Sequence, residues 1–163
     1  MSWKIKNLLN KGYSQVEEGK FGEATETFRK LAELSPDNSE FCAHLGEAYF
    51  LNKEYDKALA AFQRRDELVL SSDPLTPYIQ GYRGCVFFEQ GNYEQAKTLL
   101  ELAVGQQAKD PEIYYRLGVL CLLNGERQKA FEMLSMIDRL DPSFSYKQIQ
   151  KLCLEVCSGI SSS

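Results

Sequence analysis

The sequence has few of the residues and motifs on which enzyme chemistry depends. It contains a single histidine, His44. It has no glycine-rich phosphate loop, no metal-ligand spacing and no serine or cysteine nucleophile beside a base in a recognisable motif. We therefore expect a protein that is not an enzyme and that uses neither a cofactor nor a metal. His44 is expected to be a groove or core residue rather than a general base.

Clusters of basic residues are also missing. The net charge is -4, and no segment concentrates lysine and arginine, so we expect no nucleic-acid partner and no membrane insertion. No apolar run is long enough for a signal peptide or a membrane span. Residues 1–12 interleave lysines with apolar residues, and we interpret them as the start of the first helix. The alternative is a basic amphipathic membrane anchor.

The five cysteines do not form a recognisable disulfide framework. Their number is odd and no CxxC motif occurs, so a reduced, cytoplasmic protein is expected. Cys153 and Cys157 lie one turn apart on a predicted helix. One alternative is that they share a metal ion or a redox event. The absence of a histidine or further cysteine near them favours two small buried apolar residues instead.

What the sequence does contain is one helical unit that recurs. It is clearest in residues 112–142, where the segment 114–123 is apolar almost all the way round. Such a helix needs cover on more than one side. Asn124 and Gly125 then end it, and apolar residues at helical spacing over 128–140 predict a second helix. The unit is therefore a pair of helices folded on each other.

Small residues at a fixed separation mark the copies of this unit. Each copy has a glycine on its first helix and an alanine twelve residues later: Gly12 and Ala24, Gly46 and Ala58, Gly84 and Ala96, Gly118 and Ala130. Four residues beyond each alanine comes a bulky apolar residue: Phe28, Phe62, Leu100 and Leu134. Small residues on both helices allow the two backbones to approach closely. The pattern predicts four copies of one helix crossing.

The steps between successive alanines are 34, 38 and 34 residues, and a 34-residue helix-turn-helix period resembles the tetratricopeptide repeat. The resemblance covers residues 5–142 and includes turn glycines at Gly19, Gly91 and Gly125. It implies an all-α, right-handed α-solenoid in a single domain over 1–163. We place the four repeats at 5–38, 39–72, 77–110 and 111–142, followed by a capping helix at 143–157 and a disordered tail at 158–163.

The second copy departs from the family pattern. Arg65 stands where a small residue is usual, Lys53 replaces the turn glycine, and Leu70 occupies the place of the closing proline. Four extra residues follow, so we expect the second helix of this copy to run past Leu70, residues 71–76 to form a loop, and Pro77 to take the first position of the next helix. The insertion is either a contact element or a tolerated loop.

The resemblance implies that the first helix of each pair lines a concave groove that binds a partner. The residues placed on or near that side are mostly apolar and aromatic, a composition enriched at interfaces, although part of the set is expected to be core. They are Leu9, Tyr13, Val16, Ala43, Glu47, Phe50, Leu51, Tyr78, Tyr82, Cys85, Phe88, Tyr115, Val119, Leu122 and Leu123. Phe87, in contrast, is predicted to face the interior of its repeat.

Some members of the family bind acidic C-terminal tails through a clamp of lysine, asparagine and arginine residues. The corresponding positions here hold Leu9, Tyr13, His44, Tyr78 and Tyr82, so no such clamp is present. The expected ligand is an apolar or amphipathic peptide segment of another protein, bound by an adaptor or chaperone. One alternative is a structural scaffold that assembles into homo-oligomers, and a second is a relative of the tetratricopeptide chaperones of type III secretion.

Overall fold

The fold is built from helices throughout the part of the chain that the structure describes. The computed structural model describes residues 2–69, 73–143 and 153. Within these ranges it contains eight helices: α1 Trp3–Glu17, α2 Phe21–Leu34, α3 Ser39–Leu51, α4 Tyr55–Leu68, α5 Thr76–Glu89, α6 Tyr93–Gly105, α7 Pro111–Leu123 and α8 Arg127–Leu140. The predicted all-α fold class is confirmed. We refer to the odd-numbered helices as first helices and to the even-numbered ones as second helices.

The chain divides into two compact units. Unit 1 is Met1–Ile79 and unit 2 is Gln80–Ser163, so the boundary falls inside α5. In unit 1, α2 packs against both α1 and α3, and α3 packs against α4. In unit 2, α7 packs against both α6 and α8, which confirms the expected cover on two sides of this apolar helix. The predicted tail and, apart from Ser143 and Cys153, the predicted capping helix lie outside the described residues.

Each unit has its own apolar core. In unit 1, the buried side chains of Ala24, Phe28, Leu31, Phe41 and Ala48 form one cluster, on which α1 packs partly buried residues. In unit 2, a cluster of Tyr114, Leu134 and Ile137 is covered by partly buried residues. Cys153, which is helical, is one of these covering residues.

The predicted close helix crossings are present, but each glycine contacts the bulky residue of the second helix and not the alanine alone. All four alanines of the pattern, at 24, 58, 96 and 130, are 0% exposed. The glycines, however, lie under the bulky residues sixteen positions later. A Cβ atom added to Gly12, Gly46, Gly84 or Gly118 would stand 2.7, 2.4, 2.8 or 2.6 Å from the side chain of Phe28, Phe62, Leu100 or Leu134, respectively. The bulky residue therefore occupies the space that a glycine side chain would need.

The second copy ends its second helix earlier than predicted. The helix α4 stops at Leu68, and Val69 has an extended backbone with φ -127° and ψ 159°. The prediction that it runs past Leu70 is wrong. After this early end of the helix, Asp73 forms an ion pair with the Arg65 guanidinium on α4. The next helix, α5, begins at Thr76, one residue before Pro77.

The turn between the helices of each pair needs one residue with a left-handed backbone. Gly19, Gly91 and Gly125 take this conformation with φ between 72° and 76°, and Lys53 takes it in the second pair with φ 61°. A side chain with a Cβ atom is strained there, by roughly 1–2 kcal/mol. The departure from glycine at this turn is therefore a local cost to stability.

Replacing Lys53 by glycine is expected to raise the free energy of unfolding by about 1 kcal/mol, because glycine takes a positive φ without a Cβ clash. Lys53→Ala is the matched control, since it removes the same long side chain but keeps the Cβ atom. Urea unfolding of both variants measures the difference. If Lys53→Ala gains as much as Lys53→Gly, the gain comes from the side chain and not from the backbone.

Ion pairs connect the two second helices of unit 2. Lys97 on α6 bonds to Glu126, the residue before α8, and Lys129 on α8 bonds to Glu101 on α6. Two longer pairs, Lys97 to Glu101 and Lys129 to Glu126, both 3.9 Å, complete the set. The hydrogen bond from Lys97 lowers the pKa of Glu126. Its ionised form is therefore stabilised by folding.

A pH dependence follows from this lowered pKa. The contribution of Glu126 to stability should be present above its unfolded pKa and be lost as the pH falls through its lower folded pKa. Glu126→Gln should therefore be less stable than the native chain at neutral pH and equally stable in strong acid, as measured by urea unfolding. Glu132→Gln removes a carboxylate that, among the described residues, bonds only to Gln128, and it should show no such trend. A Glu126→Gln deficit that persists in acid would contradict this assignment.

Candidate functional site

On the accessible side of the first helices in unit 1, one tyrosine, Tyr13, connects α1 to α3. Tyr13 follows Gly12 on α1, where the bare glycine lets the helix lie close over Phe28. The Tyr13 ring packs edge-on to Phe28, with centroids 5.8 Å apart, and edge-on to His44 of α3, at 5.3 Å. The Tyr13 hydroxyl and His44 Nε2 form a hydrogen bond of 2.8 Å. Although held on two sides, Tyr13 is 43% exposed.

Two carboxylates flank this pair. Glu40 and Glu47 lie one turn to either side of His44 on α3, each with a carboxylate oxygen 3.8 Å from a ring nitrogen. Burial raises the pKa of Tyr13, and the negative charges of Glu40 and Glu47 raise it further. Both carboxylates are therefore close enough to act on the hydroxyl. We call Tyr13, Glu40, His44 and Glu47 the Tyr13 patch.

In unit 2 the first helices are joined by a nearly buried arginine. Arg116 of α7 is 4% exposed and donates to Glu89 of α5 from both Nε, at 3.1 Å, and Nη2, at 2.8 Å. It also forms an ion pair with Glu112 one turn earlier. Its guanidinium lies 5.8 Å from the ring centroid of Phe88. Burial raises the pKa of Glu112, and the nearby Arg116 opposes that rise only in part.

A second connection between these helices involves Tyr82. Its hydroxyl donates to Asp110 Oδ2 over 2.9 Å. The other Asp110 oxygen accepts from the backbone N–H of Glu112, at 2.9 Å, and so caps the start of α7. Tyr82 is therefore tied to the end of α7 as well as being half-buried. Part of its role is to position the two helices.

The predicted site residues fall into three groups by exposure. Ala43, Phe50 and Cys85 are buried, so their side chains belong to the packing of their units. Tyr13 and Leu123 are exposed, Leu123 by 65%. The remaining ten are half-buried: Leu9, Val16, Glu47, Leu51, Tyr78, Tyr82, Phe88, Tyr115, Val119 and Leu122.

Several half-buried members also support the cores. Leu9 and Val16 pack against the unit 1 cluster, and Tyr115 and Leu122 pack against the unit 2 cluster. Phe87, predicted to be interior, is only half-buried and lines a depression with Arg83 and Leu99. The neighbouring residue Val86 is the fully buried one. At this point of α5, the residue that faces the core is therefore Val86, one position before the predicted Phe87.

Residues outside the predicted set also contribute to these surfaces. The predicted groove set did not include Glu40, although its spacing with Glu47 along one helix face was visible in the sequence, and His44 was predicted only as a groove or core residue. Two apolar depressions away from the predicted side were also missed. One of about 330 Å³ in unit 1 is lined by Ala32, Pro36, Cys42, Leu45 and Ala61 with charged neighbours, and one of about 480 Å³ in unit 2 includes Phe131, Met133 and Met136.

The described residues contain no group of three or more histidine, cysteine or acidic side chains arranged to hold a metal ion. Within the same ranges, no helix has both the length and the apolar character that crossing a membrane requires.

Comparison with known proteins places these features in a family. A tetratricopeptide repeat family model matches residues 15–68 and 87–153. The BBSome complex member BBS4 homolog of Drosophila melanogaster is 30% identical over 142 residues, which cover 82% of this chain and 29% of that protein. DnaJ homolog subfamily C member 3 of Gallus gallus is 22% identical, over 93% of this chain and 33% of that protein. The chain spans about a third of the length of these curated relatives.

Solved structures show the same fold at low identity. MamA of Desulfovibrio magneticus RS-1 superposes with a TM-score of 0.64 and 20% identity, over 98% of this chain and 92% of that one. The type III secretion chaperone SycD of Yersinia enterocolitica, solved in complex with a peptide of the translocator YopD, has a TM-score of 0.60 and 21% identity. That match covers 76% of this chain and 97% of SycD.

Proposed function

The chain belongs to the tetratricopeptide repeat family, and we propose on that basis that it is a non-catalytic protein-interaction module whose first helices bind an apolar or amphipathic segment of another protein. The observation that carries this proposal is the accessible aromatic surface at Tyr13. Tyr13 is 43% exposed, although its ring packs on Phe28, a buried member of the unit 1 core cluster. Such a ring is not needed to complete the core and supplies contact area at low entropic cost.

The second helices of unit 1 have a different outer surface. The exposed residues of α2 and α4 are mostly charged, and Arg29 pairs with both Glu26 and Glu33 while Arg64 pairs with Glu67. Charged, mutually paired side chains are what a solvent-facing helix surface requires. The contrast supports the first helices as the binding side of this unit.

The peptide complex of SycD supports the same class of ligand, since that chaperone has the same fold and holds a peptide of its translocator. A cytoplasmic setting is part of the proposal, because the odd number of cysteines without a CxxC motif is typical of a reduced compartment. Self-association is the competing explanation for an accessible apolar surface. A molar mass by light scattering that rises with protein concentration would favour it.

The test uses two aromatic residues of equal exposure. Tyr13 on a first helix and Phe131 on a second helix are both 43% exposed. A partner captured by the full chain is identified, and its bound segment is synthesised for calorimetric titration. Tyr13→Ala should weaken binding by about 2 kcal/mol, near thirtyfold, because it removes an aromatic anchor. Phe131→Ala should leave the affinity unchanged.

Unfolding curves accompany both titrations, because Tyr13→Ala also removes the hydrogen bond to His44. The affinities are compared at a temperature where both variants are fully folded. Equal losses for Tyr13→Ala and Phe131→Ala, or a loss for Phe131→Ala alone, would mean that the first helices are not the binding side.

A further inference from the structure

We propose that the Tyr13 patch receives a cationic side chain, an arginine or lysine, carried by the partner segment. This inference rests on the proposed function, since it names the chemistry of the segment that the first helices of unit 1 would bind. It follows from three features of the patch: two carboxylates without a cationic partner, an exposed aromatic ring, and a histidine that leaves both carboxylates free to bond elsewhere.

The first feature is the unbalanced charge of Glu40 and Glu47. Within the described part of the chain, no lysine or arginine nitrogen comes within 4.0 Å of either carboxylate, and the His44 nitrogens at 3.8 Å lie beyond hydrogen-bond distance. Other glutamates of unit 1 are paired, as Glu18 is with Lys20 and Glu54 with Lys57. Two unpaired carboxylates one turn to either side of the same residue create a local negative potential that attracts a cation.

The second feature is the ring of Tyr13. A tyrosine ring attracts an ammonium or guanidinium group placed over its face, and this attraction adds to that of nearby carboxylates. Tyr13 and the Glu40 side chain, which is 57% exposed, are both open to solvent, and Glu47 is 35% exposed. Tyr13 and both glutamates are therefore accessible from solvent, and the two glutamates, seven residues apart, lie on the same face of α3.

The third feature is the way His44 is held. Its Nε2 is engaged by the Tyr13 hydroxyl, and its Nδ1 is buried without a hydrogen-bond partner among the described residues. The imidazole therefore fixes the Tyr13 ring beside α3 without forming a hydrogen bond to either glutamate. Both carboxylates keep their acceptor capacity for a ligand, and the charge of the patch is complementary to that of a basic amphipathic segment.

The test uses three acetylated and amidated pentapeptides with a central residue between two leucines. The central residue is arginine, its neutral isostere citrulline, or glutamate. Each is titrated into the isotope-labelled full chain, and the backbone resonances of the Tyr13 patch are followed by NMR. We expect the arginine peptide to bind about tenfold tighter than the citrulline peptide, and the glutamate peptide to bind most weakly.

Two double variants with the same charge change test whether the patch is responsible. The preference for arginine over citrulline should vanish in Glu40→Gln with Glu47→Gln and persist in Glu94→Gln with Glu132→Gln, which lie in unit 2. Equal affinity of the native chain for arginine and citrulline peptides would overturn the cationic preference while leaving the peptide-binding function intact. A preference that survives the Glu40 and Glu47 changes, or no response of the patch to millimolar arginine peptide, would overturn the site itself.

Discussion

Gly46→Ala is expected to lower the free energy of unfolding by about 1–3 kcal/mol, although alanine is the better helix former by about 1 kcal/mol. The reason is steric. A Cβ atom at this position would stand 2.4 Å from Cε1 and 2.5 Å from Cδ1 of Phe62. The Phe62 ring is fully buried, so it cannot turn away into solvent. Either the ring or the α3–α4 crossing has to shift, and urea unfolding measures the cost.

A second helical glycine provides the matched control. For Gly22 on α2, the nearest described atom to an added Cβ is Asn52 Oδ1, at 3.7 Å, so Gly22→Ala should be neutral or stabilising by up to about 1 kcal/mol. Phe62→Ala should reduce the penalty of Gly46→Ala, since the methyl group then enters the space left by the ring. The double variant should therefore lose less stability than the two single variants added together. Strict additivity, or an equal effect at Gly22, would contradict the proposed contact.

These crossings also show why the fold was readable from the sequence. The glycines, the alanines twelve residues later and the bulky residues sixteen later are local features of a repeated unit, and each copy meets the same steric demand. Ala24 and Ala130, for example, are equally buried in different units. A pattern that recurs four times is therefore a strong indication of packing. What the pattern did not show is that the bulky residue itself lies over the glycine.

The accessible side of the first helices was harder to predict. Helical spacing places Cys85 and Phe88 near one face of α5, yet Cys85 is fully buried and Phe88 lies beside Tyr93 and the Arg116 guanidinium. First helices are covered by more than one neighbour, so their accessible stripe is narrow. An error of one residue in the predicted helix face is then enough to assign a buried residue to the surface, or an accessible residue to the core. Glu40 was also missed, although Glu47 on the same face of α3 was included, because most of the predicted side chains were apolar or aromatic.

Departures from the repeat pattern were recognised in the sequence, but their connection was not. In the sequence, Arg65 and the insertion that follows it are two separate irregularities of the second copy. In the structure they are one feature: Arg65 forms an ion pair with Asp73 and donates to Thr76 Oγ1 over 3.1 Å. The arginine at the position of a small residue thus finds acceptors for its two terminal nitrogens, Nη1 and Nη2, in the segment that follows α4. A sequence pattern alone does not show which residues will accept hydrogen bonds from a long side chain such as that of arginine.

Arg65→Ala is therefore expected to cost about 3–5 kcal/mol of unfolding free energy, the range for breaking a buried ion pair. The side chain is 1% exposed. Its loss leaves a cavity and deprives Asp73 of its cationic partner. Asp73 also accepts from the backbone N–H of Leu75, at 2.9 Å, and so shapes the entry to α5. The adjacent Arg64 is the matched control: its side chain is 48% exposed and forms surface pairs with Asp37 and Glu67, so Arg64→Ala should cost less than about 1 kcal/mol.

A further pair of variants separates the buried charge from the packing of the side chain. Asp73→Ala alone should be strongly destabilising, because the nearest remaining carboxylate, that of Asp66, is more exposed and lies 3.2 Å from Nη1. Adding Arg65→Met to Asp73→Ala should recover part of the loss, because methionine fills much of the same space without a charge that needs compensation. Denaturant unfolding of the single and double variants decides the matter. If the double variant is less stable than Asp73→Ala, the guanidinium left without Asp73 is not a net cost, and Arg65 stabilises the second copy through its remaining hydrogen bonds and packing.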